Sequence, residues 1–295
     1  MNKAIVIKHM GYIFILNGLF LFISFLISHY FEETSTMPLL FSAMLCFIFG
    51  FFPLIFVDEK SEINSLEGLS IIVFGWLTTC VVGMLPYLMW GGDFTLINAW
   101  FESVSGFTTT GSSILIDVES LPKGLLFWRA STHWIGGIGI ILFALLLFPR
   151  SGTSRLTLIR SELSDISQRS FRAKATDIFR IILFVYVGLT LLEVLFLTAA
   201  GMPFFDAIAH SFATVATGGF STKNTSIAAF DSMTIELIVM FFMVLSGLHF
   251  GLLYATITGR RENIFRSPVA RYYLLFLLVG VLLVALKLYV SDYTS

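Results

Sequence analysis

Two copies of one short polar phrase, 108 residues apart (111 to 219), interrupt a chain that otherwise consists of long apolar runs. The first copy reads FESVSGFTTTGSS over 101–113, and the second reads AHSFATVATGGFS over 209–221. Aligning Gly111 with Gly219 also aligns Thr109 with Thr217. Exposed backbone at membrane depth is tolerated only where it is buried in protein or lines a pore. The repeat therefore predicts two re-entrant loops of a cation filter.

The composition indicates an integral membrane protein. Hydrophobic residues make up 57% of the chain and charged residues 13%, with a mean hydropathy of +0.89. An ordinary soluble domain carries roughly 25% charged residues, so a soluble core could not bury this much apolar surface. Cys46 and Cys80 lie in apolar runs, which favours buried packing residues over a disulfide framework.

The sequence favours no enzyme class, no cofactor and no nucleic-acid partner. It offers no nucleophile–base pair, no cluster of metal ligands and no phosphate loop. The glycine-rich segment Trp134–Ile140 resembles a nucleotide-binding loop only superficially, because it lies inside an apolar span with no strand before it. Close helix packing explains it better. The apolar spans of the chain are expected to be surrounded by membrane lipid.

About 20 apolar residues are needed for each membrane crossing. Seven candidate spans meet that length: 11–31, 37–57, 69–90, 125–148, 178–200, 234–257 and 272–291. Two further segments, 96–107 and 204–216, are too short and too polar to cross. We interpret them as half-crossing pore helices that end at the two phrases.

The distribution of Lys and Arg predicts the orientation. Basic residues collect before the first span and in the connections after the fourth and sixth spans, whereas the opposite side is mainly acidic. Seven spans then place the N-terminus in the cytoplasm, Ser295 outside, and both phrases on the outer side. The polar segment 150–177 is expected to be a cytoplasmic helix near the membrane surface. Its basic residues are better explained by this orientation than by a lipid or partner site.

These spans define an all-α polytopic membrane protein built from parallel helix–pore loop–helix repeats. Residues 1–60 form an N-terminal transmembrane hairpin, and 61–150 form the first repeat. A cytoplasmic connector, 151–171, leads to the second repeat at 172–260. Residues 261–295 supply a cytoplasmic loop and the first helix of an incomplete third repeat.

The filter prediction assigns K⁺ coordination to backbone carbonyls, because several successive peptide groups must point at one axis. Glycine adopts the required twist without a Cβ penalty, which favours Gly111 and Gly219 as the central residues. Gly218 is expected to add slack to the second loop. The expected ion-binding residues are Thr109, Thr110, Gly111, Thr217, Gly218 and Gly219. The expected supporting residues on the pore helices are Glu102, Ser103, His210 and Ser211.

Five further ionisable residues lie within or near spans. Arg129, Glu193 and Lys287 sit near outer ends, where a side chain commonly reaches the interface. His133 and His249 are expected to be neutral, hydrogen-bonded packing residues rather than parts of an ion pathway.

The phrases 101–112, 127–140 and 206–221 resemble those of the Trk/Ktr/HKT superfamily of potassium transporters, most closely its bacterial TrkH branch. The resemblance extends over nearly the whole chain. It implies potassium uptake across the cytoplasmic membrane through a filter with one glycine per repeat. It also implies a homodimer gated by a cytoplasmic nucleotide-binding regulatory subunit of the TrkA type. Glycine rather than serine at both filter positions leans towards potassium over sodium.

The chain departs from this superfamily in the number of its repeats. Members have four helix–loop–helix units around one pore, whereas this sequence holds two and the opening helix of a third. Truncation of a longer transporter is the favoured explanation. A non-conducting scaffold, a half-transporter that needs a partner chain, and a sodium-permeable transporter remain alternatives. Passive conduction and ion-coupled symport are not distinguished by these residues.

Overall fold

Every regular secondary-structure element in the described part of the chain is a helix. The computed structural model describes residues 2–57, 65–147, 165–259 and 263–294. Five of the described helices are long and apolar enough to cross a membrane, or six if one sharply bent pair counts as a single span. The chain is an all-α, multi-pass membrane protein, as its sequence predicts.

An N-terminal hairpin of α1 (Lys3–Tyr30) and α2 (Thr36–Phe56) supports the first repeat. The two helices approach closely through small residues, since a Cβ on Gly11 would lie 2.8 Å from the carbonyl oxygen of Gly50. The Ser28 and Ser35 hydroxyls bond each other at 2.7 Å where the hairpin turns. Because α1 also packs on α3 and α5, the hairpin holds the first repeat from one side.

The first repeat consists of α3 (Ser65–Trp90), the short helix α4 (Leu96–Phe107) and α5 (Lys123–Leu147). The Thr95 hydroxyl begins α4 by accepting a hydrogen bond from the Asn98 amide at 3.3 Å. Trp128 of α5 is fully buried, and its indole donates to the Gly83 carbonyl of α3 at 3.0 Å. These contacts enclose α4 between α3 and α5.

The second repeat begins with α6 (Asp165–Ala199), followed by α7 (Phe204–Val215) and a 3₁₀ turn (Ser226–Phe230). Residues 165–177, which were expected to belong to a separate surface helix, are continuous with the span in α6. The rest of that expected helix, 150–164, lies outside the described residues. Helix α7 packs on α6 and also on α5 of the first repeat.

The last predicted span of the second repeat is broken. Helices α8 (Met233–Ser246) and α9 (Phe250–Ile257) meet at an angle of 103°. The segment 234–257, expected as a membrane span, is therefore not one continuous helix. The His249 side chain starts the new helix by accepting a hydrogen bond from the Gly251 amide at 3.1 Å, and α9 turns back onto α6. Helix α10 (Pro268–Thr294) contacts α8 near its own beginning, where the Tyr273 hydroxyl donates to the Val244 carbonyl.

Candidate selectivity filter

Both short helices that the sequence predicts are present. Helices α4 and α7 each contain 12 residues, which corresponds to a length of roughly 18 Å at 1.5 Å per residue. A membrane crossing requires about 30 Å, so neither helix can span. Each enters beside a long helix of its own repeat, α3 or α6, and ends inside the protein.

The two short helices end in the same hydrogen-bonded turn, in which a residue in the left-handed conformation closes the last helical turn. In each copy one amide bonds the carbonyl five residues earlier, and the preceding amide bonds the carbonyl three residues earlier. The bonds are Thr110 to Ser105 (2.9 Å), Thr109 to Gly106 (3.0 Å), Gly218 to Ala213 (2.8 Å) and Thr217 to Thr214 (2.9 Å). The repeat seen in the sequence is therefore also a repeat of backbone geometry.

Alternate residues of both loops have positive φ. Thr109 and Gly111 have φ of 53° and 76°, and Thr217 and Gly219 have φ of 55° and 89°. A left-handed conformation costs a non-glycine residue roughly 1–2 kcal/mol, and for a β-branched residue it is a true outlier. Two threonines in this conformation at matched positions indicate that the surrounding structure imposes this path on the backbone.

The two loops touch at their glycines. A Cβ atom built on Gly111 would overlap the carbonyl oxygen of Gly218, so no larger residue fits there without movement of the backbone. At Gly219 the same construction meets no heavy atom within 4 Å among the described residues. Thr110, Thr217 and Gly219 are exposed, whereas most of the pore-helix residues that precede them are buried. The loops thus present backbone to an open space.

Glu102 and His210, which the repeat aligns, play matching roles behind the two loops. The Glu102 carboxylate accepts hydrogen bonds from the Ser113 hydroxyl (3.0 and 3.1 Å) and the Ile114 amide (3.2 Å). His210 Nε2 lies 2.9 Å from the hydroxyl of Ser221, which the repeat aligns with Ser113. His210 Nδ1 donates to the Asp206 carbonyl at 2.7 Å, since a carbonyl can only accept. Each side chain ties its short helix to the loop residues that follow the aligned glycine, Gly111 or Gly219.

Ser103 and Ser211, the other aligned pair, differ. The Ser103 hydroxyl donates to the Cys80 carbonyl at 2.7 Å and so fixes α4 on α3. Ser211 is fully buried, but its hydroxyl has no hydrogen-bond partner among the described residues. The expected supporting role therefore has a visible contact only in the first repeat.

A buried ion pair links the first pore helix to the second loop. Arg129 Nε lies 2.5 Å from Glu102 Oε1, and the two side chains are 3% and 0% exposed. The other end of the guanidinium, Nη1, donates to the Ser221 carbonyl at 3.0 Å. The expectation that Arg129 reaches the membrane interface was wrong. Glu193 is also fully buried rather than directed to the interface.

Outside the filter, a second set of polar contacts joins the two loops. Lys223 Nζ donates to Glu119 Oε2 at 3.0 Å, and the Asn224 amide donates to Glu119 Oε1 at 3.2 Å. The Asn224 side chain accepts from the Val118 amide at 2.7 Å. The hydrogen bond from Lys223 lowers the pKa of Glu119 below its ordinary value of 4.5. The charge distribution predicts a mainly acidic outer side, but no pattern in the sequence indicates that Glu119 and Lys223 contact each other.

The chain matches the family described as TrkH, cation transport protein, over residues 35–294. It belongs to the TrkH family. It is 39% identical over 219 residues to the Trk system potassium uptake protein TrkH of Salmonella typhimurium, an alignment that covers 73% of this chain and 45% of that protein. The TrkH protein of Halomonas elongata is 34% identical over 240 residues, with 80% of this chain and 50% of that protein covered.

A solved structure supports the same assignment. The potassium transporter TrkH from Vibrio parahaemolyticus superposes with a TM-score of 0.84 at 27% identity, covering 100% of this chain and 61% of that chain. The family model and the relatives are described as cation transport and potassium uptake proteins, and none of these descriptions names an enzyme. The chain spans about half the length of the curated relatives that it matches.

Proposed function

We propose that this chain contributes two filter loops to a potassium-selective pore and takes part in potassium uptake across the cytoplasmic (inner) membrane. The observation that supports this best is the pair of loops with positive φ at 109 and 111 and again at 217 and 219. In an extended strand, successive carbonyls point to opposite sides. A positive φ at every second residue lets them turn towards one axis, as replacement of a hydration shell requires.

The proposed ligands are main-chain carbonyl oxygens. They belong to the segments 109–111 and 217–219, and Glu102 and His210 bond the loop residues that follow those segments. Both pore helices end at a filter segment, so their C-terminal partial negative charges favour a cation there. No side-chain carboxylate is needed in this arrangement, since Glu102 already neutralises Arg129.

Topology and partners follow the same proposal. The N-terminus lies in the cytoplasm and the filter loops face outside, as the positive charges predict. The relatives are described as uptake proteins of the Trk system. A homodimer and a regulatory subunit of the TrkA type are the proposed partners. The repeats at 61–150 and 172–260 supply two of the four units that surround one pore.

Rubidium uptake tests the proposal in cells that lack other potassium uptake and express the protein from its complete gene. Gly219→Ser forces a side chain onto a residue with φ of 89°, and the variant is expected to lose discrimination between K⁺ and Na⁺. Gly201→Ser is the matched control, because Gly201 has φ of 95° and equally open surroundings but lies between α6 and α7. Gly201→Ser should keep the selectivity of the wild type.

Three other results would count against the proposal. Unchanged selectivity in Gly219→Ser would remove these residues from the filter. A well-expressed wild type that carries no rubidium but co-purifies with a partner chain would indicate a non-conducting scaffold. Uptake that prefers sodium would indicate a sodium-permeable transporter of the same fold.

A further inference from the structure

Phe220, the residue directly after Gly219, is held between two side chains of α5. The Arg129 guanidinium lies 3.7 Å from the centre of the Phe220 ring. The His133 imidazole lies 4.0 Å from the same centre, with 13° between the ring planes. Two groups this close to one ring centre cannot occupy the same face. Arg129 and His133, one helical turn apart, therefore enclose the ring from opposite sides.

His133 also presses on the filter backbone itself. A Cβ atom built on Gly218 would overlap the imidazole, so glycine is required here by the close approach of His133. The expectation that Gly218 supplies slack was therefore wrong. His133 is fully buried, and neither ring nitrogen has a hydrogen-bond partner among the described residues. The expectation that it is hydrogen-bonded is not met, and stacking and steric contact are what hold it.

Gly218 also makes a close contact through its carbonyl oxygen. Its carbonyl oxygen lies against Gly111, where a Cβ would overlap it. Gly218 is therefore confined between a side chain of α5 and the backbone of the other filter loop. A shift of His133 towards Gly218 would press on a residue whose carbonyl oxygen already contacts Gly111, because protein interiors are close-packed.

The contact between α5 and the second loop involves residue types that the repeat does not reproduce at the equivalent positions of the first loop and of α8. The residues aligned with Gly218 and Phe220 in the first loop are Thr110 and Ser112. The residues aligned with Arg129 and His133 are Leu237 and Phe241 of α8. Three features thus depart from the repeat together: the glycine, the phenylalanine and the cation–imidazole pair. Ordinary helix packing does not require such a joint departure.

We infer that Arg129 and His133 are positioning residues that set the place of the Gly218 carbonyl and thereby the ion selectivity of the second loop. Arg129 orients the loop through the Phe220 ring and the Ser221 carbonyl, and His133 fixes the distance between Gly218 and the first loop. The inference rests on the proposed function, since it assigns these residues to the same filter.

Selectivity of rubidium over sodium uptake provides the test, with the protein expressed from its complete gene. Gly218→Ala is expected to lower selectivity about tenfold, because the new methyl group overlaps the imidazole and can be accommodated only if the Gly218 backbone moves. His133→Ala is expected to lower it as well, by freeing the carbonyl. The double variant His133→Ala with Gly218→Ala should recover much of the loss, because the new methyl group then occupies the vacated space.

His133→Phe keeps a flat ring against Phe220 and should retain most selectivity, which separates steric positioning from imidazole chemistry. Ser131→Ala is the matched control, since Ser131 is a buried residue of the same helix whose hydroxyl bonds the Phe127 carbonyl of that helix. It should leave selectivity unchanged.

Additive losses in the double variant, or unchanged selectivity in His133→Ala with normal expression, would overturn the inference while leaving the proposed function intact. A wild type that carries no rubidium would instead overturn the proposed function, and with it the inference.

Discussion

Removal of one partner from the Glu102–Arg129 pair should destabilise the protein more than any single change at an exposed ion pair. The two groups are 2.5 Å apart, and their side chains are 0% and 3% exposed. Breaking a buried pair typically costs about 3–5 kcal/mol, because the remaining charge has no solvent and no counter-ion. In Glu102→Gln the amide still accepts from the Ser113 hydroxyl, so the expected loss comes mainly from the stranded guanidinium.

The outer pair Lys223–Glu119 provides the comparison within the same molecule. Its atoms are 3.0 Å apart, but its side chains are 33% and 43% exposed. Exposed pairs typically contribute about 0–1 kcal/mol. Lys223→Gln should therefore change the free energy of unfolding by a small fraction of the change in Glu102→Gln, although both substitutions remove one charge from one pair.

The free energy of unfolding in mixed detergent and sodium dodecyl sulfate measures both changes. A double variant, Glu102→Gln with Arg129→Met, removes both charges and should be less unstable than the sum of the two single variants. A loss of stability in Glu102→Gln no larger than that in Lys223→Gln would show that burial does not strengthen the pair. Losses at residues 102 and 129 that simply add would show that the two charges do not interact.

Three further predictions concern the two loops and the contact between Lys223 and Glu119. Gly111→Ala should abolish selective rubidium uptake, because its Cβ would overlap the Gly218 carbonyl. Thr109→Gly should raise the melting temperature, since it relieves a strain of about 1–2 kcal/mol at φ of 53°, while lowering selectivity. The pKa of Glu119 is lowered in the folded protein, so the stability contributed by Lys223 should be present above pH 4.5 and be lost as the pH falls through the lower folded pKa. Unfolding of the wild type and Lys223→Gln at several pH values measures that difference.

The pore helices could be predicted from the sequence because their signal is local and occurs twice. Segments 96–107 and 204–216 were expected, and the structure has Leu96–Phe107 and Phe204–Val215. Each segment is too short and too polar for a crossing and ends in a phrase rich in glycine and threonine. The length of each segment, its polarity and its place in the repeat all indicate the same short helix, and this agreement made the prediction secure.

The break between α8 and α9 was missed because hydropathy records side chains and not the path of the backbone. Residues 234–257 are predominantly apolar, with Glu236 near the beginning of the segment, which is compatible with a membrane span. A weak signal was present, since Gly247 follows Ser246 and His249 is able to cap a new helix. Neither residue forces a break by itself. The turn is fixed by α9 packing on α6, a tertiary contact that no local pattern contains.

The partners of Arg129 could not be predicted from local sequence patterns either. Glu102 is 27 residues away and the Ser221 carbonyl 92 residues away. The costly burial of charge indicated that an intramembrane arginine needs a partner, and Glu102 was the nearest acidic residue of a pore helix. Because Arg129 lies near the outer end of its span, the sequence instead favoured a side chain that reaches the membrane interface. The reason for Gly218 was equally hidden, because the imidazole that excludes a Cβ comes from another repeat.

The most direct test of the central claim is the position of bound rubidium in crystals of the complete protein, located by anomalous scattering. A filter built from these carbonyls predicts a peak between the segments 109–111 and 217–219, within coordination distance of their carbonyl oxygens. A peak at the outer carboxylates Asp117 and Glu119 with none between the two loops would contradict it.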